Sequence, residues 1–235
     1  MSHAAHRRFK TSSGAYAWSM SDYETRRARM VERQLRARGI DDERVLAAMG
    51  EVPREAFLPT RRRHRAYADS ALPIGEEQTI SQPWIVAAIC QALELRGDER
   101  VLEVGTGSGY STCVLARLAA EVVSIERYER LSAGAAEVLA TLGVRNVELL
   151  VGDGSGGVPE RGPFAAIAVH ATAPAPPPAL LAQLAEDGRM VVPIASRSID
   201  TLTVLWRRQG GFEAASLGPC RFVPLIGEGG FADPL

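Results

Sequence analysis

Cysteine is scarce in this 235-residue chain: Cys90, Cys113 and Cys220 stand far apart in apolar contexts. An odd count at such spacing argues against a disulfide framework or a thiolate metal site. It suits buried thiols in a reducing compartment. Histidine is nearly as scarce, and the four present show no ligand spacing, so no metal is expected. No sign of charge dominates either, because 27 Lys and Arg against 28 Asp and Glu leave a net charge of −1. That balance gives no reason to expect nucleic-acid binding. The run Arg61-Arg62-Arg63-His64-Arg65 is a local exception; it reads as a solvated loop or helix face, or as an attractor for an acidic peptide or a phosphate. No stretch is long and apolar enough to span a membrane, so no membrane partner is expected. Residues 1–20 mix His3, His6, Arg7, Arg8 and Lys10 with small residues and lack the apolar segment of a secretory signal. They read as a flexible leader on a cytoplasmic monomer.

What is present is apolar content of 46% and charged content of 23%, the balance of a globular protein with ample length for a full core. The periodicity predicts a charged helix from Ser21 to Arg38 with Met30, Val31 and Leu35 on its buried stripe, stopped by Gly39. Asp41 is expected to cap a second helix over Asp42 to Met49. The stretch Tyr67 to Thr79, with Pro73 and Gly75, should be irregular. A helix is expected from Pro83 to Leu95, where Ser81 reads as an ordinary N-cap ahead of a first-turn proline.

Short apolar strands then alternate with helices: Arg100 to Val104, Glu121 to Ile125, Val147 to Val151 and Phe164 to Val169, followed by Gly188 to Ile194 and Leu202 to Arg207. The intervening helices are expected near Tyr110 to Ala119, Tyr128 to Leu142 and Pro176 to Leu184. This pattern predicts an α/β fold, a doubly wound and mostly parallel sheet with helices on both faces. The expected organisation is a leader over 1–20, a helical and irregular extension over 21–82, and a cofactor-binding core over 83–235.

The most informative stretch is Val101 to Tyr110, an apolar strand ending in Glu103 and a glycine turn ahead of a helix. The turn Gly105-Thr106-Gly107-Ser108-Gly109-Tyr110 lets backbone approach a ligand closely. It departs from the dinucleotide fingerprint, because Tyr110 stands where a third, helix-packing glycine is needed. Glu103 beside the turn would repel a pyrophosphate, whereas S-adenosylmethionine carries an ammonium and a sulfonium. Glu126 ends the next strand, where a carboxylate can accept both hydroxyls of a ribose. Asp153, between Gly152 and Gly154, fits an adenine-side contact. The plain alternatives are solvated strand-end acids at Glu103 and Glu126 and an Asx turn at Asp153. The three acids are expected to meet at one edge of the sheet, with Gly105, Thr106, Gly107, Ser108 and Gly154 beside them.

Further motifs extend the pattern: Met30-Val31-Glu32-Arg33-Gln34-Leu35, Val52-Pro53-Arg54-Glu55-Ala56-Phe57, Gln78-Thr79-Ile80-Ser81-Gln82-Pro83 and Phe222-Val223-Pro224-Leu225-Ile226-Gly227. With them the chain resembles the protein-L-isoaspartate O-methyltransferase family from about Met30 to Phe231. The resemblance implies a class I, Rossmann-like methyltransferase that uses S-adenosyl-L-methionine to esterify the free α-carboxylate of L-isoaspartyl residues. Its partners would be damaged polypeptides, in a protein-repair role. It also implies that Ser81 is the active-site serine, hydrogen-bonding the acceptor carboxylate or nearby backbone. Pro83 and Val86 would line the cofactor pocket, and Val223 to Ile226 would close a peptide groove.

Ala165 departs from the family, which usually has aspartate there, and His170 sits where small residues dominate; it reads as a strand-end residue or a substrate contact. Two other readings fit the same motifs. One is a relative that methylates an aspartate of a dedicated biosynthetic peptide to form aspartimide, and the other is a cofactor-binding module without turnover.

Overall fold

Neighbouring residues of the central strands enter different hydrophobic clusters: Val101, Val122 and Ala166 lie in one, and Leu102, Val123 and Ile167 in the other. Successive strand side chains point to opposite faces, so both faces of this sheet are covered. The structure is a computed structural model that describes residues 20–233 and the segments Phe9–Lys10 and Tyr16–Ala17. Those segments pair antiparallel as β1 and β2. Met20, the last residue of the expected leader, opens a helix, and the rest of that leader lies outside the described residues.

Helix α1 (Met20–Met30) runs into a π turn at Val31–Leu35 and a 3-10 turn at Arg36–Arg38, so the single helix expected to Arg38 tightens and widens along its length. Gly39, at φ 90°, ends it while Ile40 N donates to Leu35 O at 3.2 Å, the long-range bond of a Schellman cap. Helix α2 (Glu43–Glu51) is capped by Asp42, whose carboxylate accepts from Arg44 N and Val45 N at 2.8 and 3.2 Å. The expected cap, Asp41, instead donates its backbone N–H to Gln91.

The stretch expected to be irregular contains a hairpin, β3 (Leu72–Gly75) against β4 (Gln78–Ile80). Its turn residues Glu76 and Glu77 both have positive φ, 47° and 57°. Asn-Gly is the usual signal for such a turn, and Glu-Glu gives none. Helix α3 (Pro83–Ala92) starts after Gln82, so Ser81 is not its N-cap.

The seven-stranded sheet has the order β11-β10-β9-β8-β5-β6-β7. Its strands are β5 (Arg100–Val104), β6 (Glu121–Glu126), β7 (Val147–Val151), β8 (Phe164–Val169), β9 (Leu184–Ile194), β10 (Asp200–Arg208) and β11 (Gly211–Cys220). β5 to β9 pair parallel, and β10 and β11 add antiparallel. β11 was not expected: Glu213, Ala214, Ala215 and Ser216 are exposed on an edge strand and show no apolar alternation. Helices α4 (Tyr110–Leu118) and α5 (Glu129–Thr141) follow β5 and β6, and α6 (Pro178–Gln183) precedes β9.

The extension shares the core, because Met30, Leu35, Met49 and Phe57 join the cluster that contains Val101 and Val122. Arg54 is buried within it, donating Nε to Ala66 O at 2.7 Å with its guanidinium 4.8 Å from the Tyr110 ring. Burial pulls that guanidinium down to about 10, against the opposing pull of Tyr110 and Tyr67. Asn146 sits in the turn before β7 with Nδ2 facing the carbonyls of Ala116, Ala119 and Ala120 at 2.9, 3.2 and 3.3 Å. Among the described residues no helix is long and apolar enough to cross a membrane.

Candidate active site

The chain runs from β5 to β6 to β7 on one side, then crosses back to place β8 on the other side of β5. Ligands of open α/β sheets bind at such a switch point, outside the carboxyl ends of the strands. Here those ends are Val104-Gly105 and Val169-His170, tied together by His170 N donating to Val104 O at 2.8 Å. Gly105 has φ 95°, and a Cβ there would lie 3.4 Å from His170 Cβ. Gly109 has φ 84° and a Cβ would lie 3.0 Å from Ala135 Cβ, so α4 can start there only from glycine.

A cavity of about 770 Å³ opens over this point, and Ser81, Gly105, Gly107, Glu126, Gly154 and His170 are on its wall. Its size falls within the usual span of small-ligand sites, about 300–1,000 Å³. Glu126 accepts from Gly107 N at 2.8 Å through Oε2 and from Tyr128 N at 3.0 Å through Oε1. Each oxygen keeps a lone pair for a further donor, the arrangement a vicinal diol needs. Gly154 cannot carry a side chain, because a Cβ would lie 2.6 Å from Val104 Cγ1. Ser81, between β4 and α3, has no protein partner for its hydroxyl among the described residues.

The three acids do not converge as side chains. Glu103 is fully buried and off the cavity wall; its Oε2 accepts from Thr112 Oγ1 at 2.5 Å and Ser124 Oγ at 2.6 Å. Its Oε1 accepts no hydrogen bond but lies 3.2 Å from His170 Nε2, within ion-pair reach. Thr106 is also buried, with Oγ1 2.6 Å from Ser124 Oγ, and Ser108 is half-buried off the wall. Pro83 and Val86 are buried in α3, whereas Gln82 and Ile85 beside them face the cavity. Gln82 and Ile85 gave no chemical signal in the sequence. Tyr128, also on the wall, could have been found from its place two residues after Glu126.

Asp153 makes the Asx turn that was its plain alternative, accepting from Ser155 N at 2.8 Å, and it also accepts from Glu228 N at 2.9 Å. It thereby latches a strap, residues 221–233, that forms one side of the cavity. Thr172 N donates to Val223 O and Leu225 N to Thr172 O, both at 2.8 Å, and Arg127 pairs with Asp233 at 2.7 Å. Burial alone would raise the Asp153 carboxyl, but the Ser155 and Glu228 groups and the Arg127 charge outweigh it and hold it below its ordinary value.

A lowered carboxyl contributes stability above its unfolded-state value, near 3.8, and loses it as pH falls through the lower folded value. The latch is therefore expected to be intact at neutral pH and to open only in strong acid. Asp153→Asn should open it at neutral pH, seen as faster hydrogen exchange at Glu228 and Gly229. Unchanged exchange there in the variant would refute the latch.

The family model described as "Protein-L-isoaspartate(D-aspartate) O-methyltransferase (PCMT)" matches residues 25–230. A protein-L-isoaspartate O-methyltransferase of Methanoculleus marisnigri is 51% identical over 205 residues, covering 87% of this chain and 93% of its own length. Protein-L-isoaspartate O-methyltransferase 1 of Anaeromyxobacter sp. is 54% identical over 203 residues, covering 85% and 96%. A solved protein-L-isoaspartate O-methyltransferase superposes with a TM-score of 0.79 at 30% identity, covering 87% of this chain and 67% of that one. A Plasmodium falciparum beta-aspartate methyltransferase in complex with S-adenosyl-L-homocysteine gives 0.74 at 26% identity, covering 85% and 98%.

Proposed function

Because the chain belongs to the protein-L-isoaspartate(D-aspartate) O-methyltransferase family, we propose that it methylates the free α-carboxylate of L-isoaspartyl residues in damaged polypeptides, with S-adenosylmethionine as donor. The observation that carries the reading is one cavity whose wall holds both Glu126, with a lone pair open on each oxygen, and Ser81, with an unengaged hydroxyl. The residues present fit the donor: Glu126 would accept the ribose hydroxyls, and the backbone of Gly105, Gly107 and Gly154 lines the same wall. When bound, the donor supplies a methyl group made electrophilic by its sulfonium.

The chain's own task is positioning. A carboxylate acceptor is already ionised near neutral pH, so no strong general base is required. Ser81 would donate to the acceptor carboxylate or its neighbouring backbone, and the strap would exclude water and align the acceptor. The main-chain groups of Val223 to Ile226 that are not already bonded to Thr172 and Phe231 would hold a peptide without reading its side chains, which suits a repair enzyme. We also read the protein as a cytoplasmic monomer; the three buried free cysteines support a reducing compartment, and sedimentation tests the oligomeric state.

Transfer of labelled methyl to matched peptides tests the reading, with incorporation expected on the isoaspartyl peptide alone. Incorporation on the aspartyl isomer instead would favour the dedicated-peptide alternative. Ser81→Ala is expected to lower turnover about 10- to 100-fold while leaving S-adenosylhomocysteine affinity within about twofold. A matching fall in affinity would move Ser81 into the donor site.

A further inference from the structure

We propose that His170 is the residue through which the buried Glu103 charge reaches the donor, accepting a hydrogen bond at Nδ1 from the donor's α-ammonium. The assignment rests on the methyltransferase reading above. Glu103 cannot make that contact itself, because it is fully buried and its Oε2 is committed to Thr112 and Ser124. His170 stands between it and the cavity, with 7% of its side chain exposed and its place on the cavity wall at the end of β8. The Phe222 ring of the strap lies 6.5 Å from the imidazole.

The proposed tautomer carries the ring proton on Nε2. Nε2 lies 2.8 Å from Ser111 Oγ and 3.2 Å from Glu103 Oε1. A proton on Nε2 is accepted by Ser111 Oγ and keeps a nitrogen lone pair from facing the carboxylate oxygen. Nδ1 then keeps a free lone pair; it has no protein partner among the described residues and is not sealed from the cavity. The carboxylate charge 3.2 Å from Nε2 raises the acceptor strength of Nδ1. A buried carboxylate also needs a compensating positive charge. His170 is the sole side chain at ion-pair distance from it among the described residues; as a neutral imidazole it brings no charge, and an ammonium at Nδ1 would.

The other acids on the cavity wall suit the ammonium less well. Glu126 is the acceptor assigned to the ribose hydroxyls, Asp233 is paired with Arg127, and Glu77 is exposed on the hairpin turn.

Calorimetry with two ligands tests the assignment: S-adenosylhomocysteine, and its analogue with the α-amino group replaced by hydrogen. His170→Ala is expected to weaken S-adenosylhomocysteine roughly 10- to 100-fold and the deamino analogue by less than about threefold. His170→Asn, which keeps an acceptor near the Nδ1 position, should recover part of the loss. Glu103→Gln should act in the same ligand-selective direction. In the unsubstituted protein, ¹⁵N NMR should show His170 protonated at Nε2 alone, with the Nδ1 resonance moved by S-adenosylhomocysteine and not by the analogue. Equal weakening of both ligands, no weakening of either, or a selective loss produced by Glu77→Gln instead would overturn the assignment. Failure of the unsubstituted protein to bind S-adenosylhomocysteine at all would instead overturn the methyltransferase reading on which it stands.

Discussion

Glu126→Ala is expected to weaken S-adenosylhomocysteine by about 1–3 kcal/mol, a loss of roughly 5- to 150-fold. The substitution acts twice. It strips the acceptors from two ribose hydroxyls, and it leaves Gly107 N and Tyr128 N without the oxygens that now receive them at 2.8 and 3.0 Å. The second effect loosens the glycine turn itself, so Glu126→Gln, which keeps one acceptor oxygen, should fall between the two. Titration calorimetry reads both, and an affinity unchanged in Glu126→Ala would remove the nucleoside from this part of the cavity.

Phe164→Ala is expected to lower the unfolding free energy by about 3–5 kcal/mol. Phe164 opens β8, is fully buried, and pairs across the sheet with Leu184 in the cluster that also holds Leu102, Val104 and Met190. Strands on both sides limit how far the neighbours can collapse into the space left by the ring. Urea denaturation at constant slope should show the shift. A loss below about 1 kcal/mol would mean that the site repacks, in the way the most forgiving cores do.

Much of the sheet was legible because its strands are continuous apolar runs. The bounds of β7 and β8 coincide with the stretches Val147 to Val151 and Phe164 to Val169 read from the sequence. Burial of β8 on both faces removes the need for alternation and leaves a plain signal, whereas β7 is a half-exposed edge strand legible from its β-branched and leucine residues alone. The β3–β4 hairpin and the edge strand β11 were not legible. The first turns on Glu76-Glu77, which carries no turn signature, and the second is mostly solvated and shows no apolar pattern. The glycine turn and Glu126 were legible because their geometry is local. The burial of Glu103 was not, since it depends on hydroxyls from α4 and β6. Nor was the second duty of Asp153, whose latch partner Glu228 lies 75 residues further along the chain.

The anchoring of Asn146 bears on the enzyme's own ageing. By the deamidation route, isoaspartyl linkages arise when the nitrogen following an asparagine attacks its side-chain amide, expelling ammonia and closing a ring that can reopen the wrong way. This sequence contains one asparagine, and the residue after it is the β-branched Val147, which crowds that attack. Its amide is also held against three carbonyl oxygens, away from the bent geometry that ring closure demands. A catalyst that mends deamidated proteins has thus kept almost no asparagine of its own to lose, and the copy it retains is tethered.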